Sequence, residues 1–247
     1  MKKGEKYTGK VRELAFPNKG IACVDGVDVI VKNTLPGQEI SFILNKNKPG
    51  LKEGRLEEIL KRSDIETEDG CSVCRRCGGC VYQTIPYEEE LAIKNKMVRD
   101  ILEKAFRQHS EAGISLDRIY EGITGSPEVR GYRNKMEFSF GNEVKDGPLT
   151  LGMHVSGHFM DVIDTPDCNI VDADFRMIRD YVSAYARNHG LPFYHRYSNT
   201  GLLRNLLVRK GINTGEILVD IVTTSETLLD EEEFARGILS MPLHGKL

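Results

Sequence analysis

The residues best suited to chemistry lie in one short stretch, Cys71 to Cys80, which reads CSVCRRCGGC. Four of the six cysteines in the 247-residue chain stand there, each three positions after the last. Thiolates grouped this tightly have three plausible uses: a four-iron–four-sulfur cluster, a structural zinc, or a redox dithiol. A structural zinc usually takes two CxxC pairs set some distance apart, and a redox dithiol needs only one such pair. Here three or four ligands come from one loop, and Gly78-Gly79 lets the backbone fold closely round a bulky inorganic core. The spacing favours a cubane and leaves zinc and redox thiols open. A remote thiolate often completes a cubane's ligand set. Cys168, in DTPDCNI, follows Pro166 in a loop after a predicted hairpin and is well placed to supply it. Cys23 sits inside a strand run and reads as an inert core thiol.

Composition sets the surroundings. Hydrophobic residues make up 40% and charged residues 29% of the chain, a soluble, globular balance. No apolar run approaches the roughly 20 residues that span a bilayer. The basic start, MKKGEKYTGK, has no apolar stretch behind it, so no signal peptide is expected. These features predict a cytoplasmic protein with no membrane partner, where clustered thiols hold metal or do redox work more often than they form disulfides. The net charge of -3 does not single out a nucleic-acid binder. Its distribution leaves room for one: residues 1–60 are mildly basic and residues 226–247 acidic.

The elements that must position the cysteines divide in two, and the predicted fold class is mixed β and α+β. Residues 1–60 hold short β-branched runs at 21–24, 27–31 and 39–44, flanked by YTGKVRELAF and a closing GRLEEIL. Asp25-Gly26 marks a hairpin and Pro36-Gly37 a turn. Five short strands in so little chain predict a small closed barrel, because closure removes exposed sheet edges. Residues 61–70, KRSDIETEDG, read as a linker. The remainder, 71–247, reads as an α+β domain. Leu91, Met97, Val98, Ile101, Leu102 and Ala105 predict a helix after Pro86, and Phe175, Ile178, Tyr181, Val182 and Tyr185 a second one stopped by Gly190. Met136, Phe138 and Phe140 alternate along a strand, hairpins are expected around Ser156-Gly157 and at INTGE, and SETLLDEEEFARGIL predicts a short acidic helix.

Cys-x5-Cys-Gly-Gly-Cys within the cysteine run, GYRNKMEFSFG, the later LGMHVSGHFMDVIDTPDCNI and the N-terminal β module occur in an order that resembles one family over essentially the whole chain. It is the iron–sulfur, TRAM-domain-containing RNA (uracil-5-)-methyltransferase family, which methylates rRNA or tRNA with S-adenosylmethionine. The resemblance implies a 4Fe-4S cluster on Cys71, Cys77, Cys80 and Cys168, with Cys74 surplus; the spacing alone leaves Cys74 open, since Cys71-x2-Cys74-x2-Cys77 also resembles a ferredoxin run. It further implies that residues 1–60 are a TRAM domain, an OB-like barrel that helps dock RNA.

Folds of that kind hold single-stranded nucleic acid with basic grooves and stacking aromatics. Lys6, Lys10, Arg12, Lys19 and Lys32 supply charge in the barrel, and Tyr7 and Phe16 are candidates for stacking; ordinary surface lysines and core aromatics are the plainer alternative. In RGYRNKMEF, Arg130, Arg133 and Lys135 lie close together, with Arg133 and Lys135 on the strand face opposite Met136 and Phe138. LLRNLLVRK repeats the arrangement with Arg204, Arg209 and Lys210. A basic face beside an apolar one suits a sheet that packs on one side and meets RNA phosphate on the other; a salt-bridged outer face is equally compatible.

The family's chemistry needs a Rossmann-like domain for S-adenosylmethionine and a nucleophilic cysteine that adds to the uracil ring. The sequence has no glycine-rich strand–turn–helix for that cofactor and no cysteine after Cys168, so no residue is a candidate catalyst. The scattered histidines form no recognised metal pattern. The ending at SMPLHGKL looks cut, and the chain is expected to be the RNA-recognition and cluster-bearing part of a longer enzyme, monomeric and inactive alone. The competing readings are a stand-alone zinc- or cluster-containing RNA-binding module without activity, and an electron-transfer protein; a ferredoxin has no need of a barrel.

Overall fold

The computed structural model describes residues 1–68, 70–108, 115–158, 160–226 and 229–247. These divide into two compact units, one built from residues 1–68 and 81–126 and the other from 69–80 and 127–247.

The first unit contains the expected five-stranded closed barrel: β1 (Lys6–Ala15), β2 (Lys19–Val24), β3 (Val27–Lys32), β4 (Glu39–Lys48) and β5 (Leu51–Lys61), in the order β1-β2-β3-β5-β4. Antiparallel pairing of β1 with β4 closes it, and β3 meets β5 in a short parallel pair. The β2–β3 hairpin turns at Asp25 and Gly26, with φ of 49° and 77°, the left-handed pair a two-residue hairpin requires. Val11, Ala22, Val29, Val31, Ile40, Phe42 and Leu44 fill the interior. Gly54 is needed because a Cβ there would lie 2.3 Å from the Phe42 ring. Cys23 is not a core thiol: Gly20 and Ala22 point inward along β2, so Cys23 falls on the half-buried outer side.

Boundaries at 60 and 70 are not those of the compact units. Residues 62–68 fold onto the barrel instead of running free. The Glu66 carboxylate is wholly enclosed, accepting from Gln38 Nε2 and from Ser63 N, each at 2.8 Å, and Thr67 N donates to Thr84 O at 2.6 Å. A polar run can fold tightly when each polar group finds a partner. Helix α1 (Tyr87–Gln108) also groups with the barrel. Of its predicted apolar stripe Met97 is buried, whereas Val98 and Ile101 are exposed. Pairs four residues apart, such as Lys96–Asp100 at 2.7 Å and Arg99–Glu103 at 3.0 Å, line its surface.

The second unit holds a five-stranded antiparallel sheet, order β10-β9-β6-β7-β8, made of β6 (Lys135–Gly141), β7 (Thr150–His154), β8 (Val162–Asp164), β9 (Leu203–Lys210) and β10 (Ile217–Thr223). Helices α2 (Ala173–Asn188) and α3 (Glu231–Leu239) belong to the same core. Met136, Phe138, Phe140, Leu206 and Val208 of the sheet join Phe175, Ile178 and Val182 of α2 and Phe234 of α3 in it. Asp172 caps α2 by accepting from Asp174 N, and Gly190 ends it with φ of 62°. Asp230 caps α3 in the same way from Glu233 N; Thr227 and Leu228 of the expected acidic helix, Phe159 of the first hairpin and Asp69 of the expected linker lie outside the described residues. No helix among the described residues is long and apolar enough to cross a membrane.

Candidate metal centre and basic strand face

The cysteine loop is a run of turns. Cys74 N donates to Cys71 O at 3.1 Å, Arg76 N and Cys77 N both donate to Val73 O, and Arg75 takes the left-handed conformation. Its C-terminal part is stitched to the β7–β8 hairpin: Ser156 N donates to Arg76 O at 2.7 Å and Gly78 N to His154 O at 3.0 Å. The segment around Cys168 holds its other end. Asp167 accepts from Ser72 N at 2.7 Å and from Ser72 Oγ at 2.8 Å, and Asn169 Nδ2 donates to Gly70 O at 2.8 Å. Arg176 of α2 fixes that segment in turn, donating to the carbonyls of Cys168 and Val171 at 3.0 and 3.1 Å. Two parts of the chain almost a hundred residues apart are thus joined on both sides of Cys168.

All six cysteines are half-buried and none is in a disulfide. Burial is the main influence on the Cys71 thiol and pushes it up to about 11; the Val73 N–H works against this, while Cys74, Asp167 and Cys80 add to it. Burial also raises Cys77, opposed by the Gly79 N–H, which lies 3.4 Å from its sulfur, and reinforced by Cys168. Cys74 and Cys80 thus lie close enough to influence Cys71, and Cys168 close enough to influence Cys77. Among the described residues no group of three or more Cys, His, Asp or Glu is arranged to hold a metal ion. A single zinc needs four ligands around one point, with Zn–S near 2.3 Å; a cubane takes one thiolate on each of four irons and tolerates a wider ring of sulfurs. In donor chemistry the cysteines suit a cluster: they are soft, half-buried ligands from two segments hydrogen-bonded to each other. Burial disfavours the thiolate forms of Cys71 and Cys77, and a metal cluster, if bound, would supply the compensating positive charge.

The proposed RNA contacts are spread over both units. In the barrel Lys10 and Arg12 are exposed on β1 and Lys19 is half-buried on β2; Arg12 is paired with Asp28 at 3.0 Å and with Glu13 at 3.5 Å. Tyr7 is half-buried against Phe42, their ring centroids 6.3 Å apart, and its hydroxyl donates to Glu5, whereas Phe16 is exposed.

In the second unit, residues 130–133 precede β6 and do not belong to it. Gly131 N and Arg133 N donate to Asn169 O and Ile170 O at 2.9 Å each, so the exposed Arg130 and Arg133 flank a segment laid against the chain just after Cys168. Arg133 Nε reaches Lys135 O at 3.0 Å. Lys135 is the register partner of Arg209 on β9, which brings two like charges side by side on the sheet face opposite the helices. Glu137, 3.0 Å from Lys135 Nζ, offsets part of that repulsion. Along the same face Asn205 Nδ2 donates to Ser139 Oγ at 3.3 Å, and Ser139 Oγ is 3.2 Å from His154 Nε2. Arg204 stands apart at the irregular end of β9, 5.0 Å over the Tyr194 ring. Lys210 is not a surface phosphate contact: its ammonium donates to Asp172 at 2.5 Å and Asp174 at 2.7 Å. FYHRYSN also places Tyr194 and Tyr197 on either side of His195-Arg196, a grouping of rings and a guanidinium legible in the sequence.

No family model matches the chain. It is 38% identical over its whole length to a protein of Clostridium tetani described as an uncharacterized RNA methyltransferase. A protein of the same description from Caldanaerobacter subterraneus is 41% identical over 92% of the chain, and one from Clostridium acetobutylicum 39% identical over all of it. The chain spans about half the length of these relatives, 48 to 52%. In fold it matches the tRNA (uracil-54, C5)-methyltransferase of Pyrococcus abyssi, solved with S-adenosyl-L-homocysteine, with a TM-score of 0.63 and 20% identity over 92% of the chain and 48% of that protein. In sequence, this chain is similar to about half the length of proteins described as uncharacterized RNA methyltransferases, and in fold to about half of the Pyrococcus abyssi structure.

Proposed function

We propose that the chain is the RNA-recognition and iron–sulfur portion of an S-adenosylmethionine-dependent RNA uracil-5-methyltransferase acting on rRNA or tRNA. The observation that carries this is the double staple of the cysteine loop to the Cys168 segment, in a chain whose relatives along its whole length are RNA methyltransferases. Cys71, Cys77, Cys80 and Cys168 hold the 4Fe-4S cluster. The cluster supplies a covalent tie between the two segments and charge balance for their thiolates. Asp167 and Asn169 bring those segments together, and Arg176 holds the Cys168 backbone. The barrel is a TRAM domain, and Lys10, Arg12, Lys19, Arg130, Arg133, Lys135, Arg204 and Arg209 meet RNA phosphate. Methyl transfer belongs to a part of the enzyme outside this chain, and the chain alone does not methylate.

The test is purification without oxygen, with iron, sulfide and zinc measured on one sample. Roughly four irons per chain and a broad band near ~400 nm are expected. Cys168→Ser should lower iron and solubility together, whereas Cys74→Ser should keep both. One zinc and no iron in the wild type would sink the cluster assignment and favour a tetrahedral thiolate site.

A further inference from the structure

We propose that the loop from Phe193 to Arg204 is a base-stacking site for single-stranded RNA, with Tyr197 as its platform. The inference rests on the RNA-binding reading above and adds residues to it. Tyr197 is 89% exposed, the most exposed of the large hydrophobic side chains among the described residues. An exposed tyrosine on a floppy segment would mean little, since scattered surface aromatics are ordinary. This one is presented by a braced loop. His195 N donates to Thr200 O at 2.8 Å and Asn199 N to His195 O at 2.9 Å, closing the turn around it. The Tyr194 hydroxyl donates to Asn199 Oδ1 at 2.8 Å, and the Ser198 and Thr200 hydroxyls are 2.7 Å apart.

The base of the loop is fixed as well. Gly201, at φ of 103°, brings the chain so close to Phe193 that a Cβ would lie 2.1 Å from its carbonyl oxygen. Thr224 Oγ1 donates to Gly201 O at 3.0 Å, tying the loop to the end of β10. A ring held out in advance loses little freedom when a ligand stacks on it. The surrounding chemistry chooses the ligand. Arg196 adjoins Tyr197 in sequence, and Arg204 lies over the Tyr194 ring at the foot of the loop. Rings interleaved with guanidinium groups suit bases joined by phosphates: the rings offer faces to any base, and the arginines offset the backbone charge. Such a platform works on unpaired bases, which are free to leave their own stack.

The test uses the full chain, purified without oxygen, and a 12-nucleotide single-stranded RNA of mixed sequence with a fluorescent end label. Tyr197→Ala should weaken binding about 5- to 100-fold, the loss expected for one stacked base, and Tyr197→Phe should stay within about twofold of wild type. The salt dependence should be the same for Tyr197→Ala and wild type, because no phosphate contact is removed. Arg209→Ala should instead shallow the salt slope by about 1. Replacing the oligomer's bases with abasic sites should erase the difference between wild type and Tyr197→Ala. Wild-type affinity in Tyr197→Ala, with binding otherwise intact, overturns the stacking site and leaves the RNA-binding reading standing. A folded, iron-loaded wild type that binds no RNA overturns both.

Discussion

In the barrel, Ile40, Phe42 and Leu44 of a single strand are fully buried among side chains from the other four; between Cys71 and Cys80 only Val73 is buried. The barrel holds its strands by closure and by apolar contact, both encoded in short-range alternation. The cysteine loop has almost no apolar surface of its own to bury. Turn hydrogen bonds, the strand end it is stitched to, and Asp167 and Asn169 keep it in place. One region is fixed by what it excludes from water, the other by partners that arrive from far along the chain. The contrast implies a different sensitivity to each kind of damage.

The largest effects should come from the apolar cores. Phe42→Ala in the barrel and Phe175→Ala in α2 each empty a site that is almost wholly buried, and each should cost about 3–5 kcal/mol. That is a large share of the stability of an ordinary domain. Val73→Ala in the cysteine loop should cost only about 1 kcal/mol. Urea unfolding of the three variants measures the contrast. A loss at Val73 as large as that at Phe42 would mean that the loop has an apolar anchor of its own, and the comparison would break.

The same division explains what was legible in the sequence. The Asp25-Gly26 hairpin, the alternation in β4 and the caps and stops of α2 are local, and each was readable from a few neighbouring residues. The α2 stripe also emerged correctly, because its apolar face meets the inner side of a sheet. The α1 stripe did not: with Val98 and Ile101 exposed, the periodicity was present but nothing among the described residues covers all of it. Residues 62–68 looked like a linker because they are polar, yet the buried Glu66 is partnered by Gln38, 28 positions away. Lys210 looked like a phosphate contact because it sits in a basic strand, yet both of its carboxylate partners lie at the start of α2. Cys168 was singled out from residue type, but the reason its segment meets the cysteine loop is Asp167 on Ser72, a pairing across 95 positions that no periodicity reports.

A pH titration sharpens the comparison within the second unit. Asp174 is completely enclosed, and burial, the largest influence on it, works to raise its pKa. Hydrogen bonds from Lys210, from the His244 and Gly245 backbone and from the His244 ring together outweigh burial and bring it down to about 2. Its folded pKa is therefore depressed. The stabilisation is fully present above the unfolded value near ~3.9 and is lost as pH falls through about 2. The expected loss is about 2 kcal/mol across that window. Urea unfolding from pH 5 to pH 2 should show it, and Asp174→Asn should flatten the curve. An equally steep curve in the variant would assign the acid sensitivity elsewhere.

The smallest effect is the most local. Asp167→Ala removes both bonds to Ser72, and because Asp167 is exposed the cost should be about 1 kcal/mol. Global unfolding should hardly register it. Hydrogen exchange should, because opening of one poorly packed segment is read separately from the core. Exchange at the Ser72 amide should quicken severalfold while that at Leu206 and Val208, fully buried in β9, stays unchanged. If the cluster ties the same two segments covalently, the quickening should be strong in cluster-free protein and weak in loaded protein. Equal quickening in both states would mean that the cysteines add no restraint where Asp167 acts. The hydrogen bonds alone would then hold the loop to the Cys168 segment.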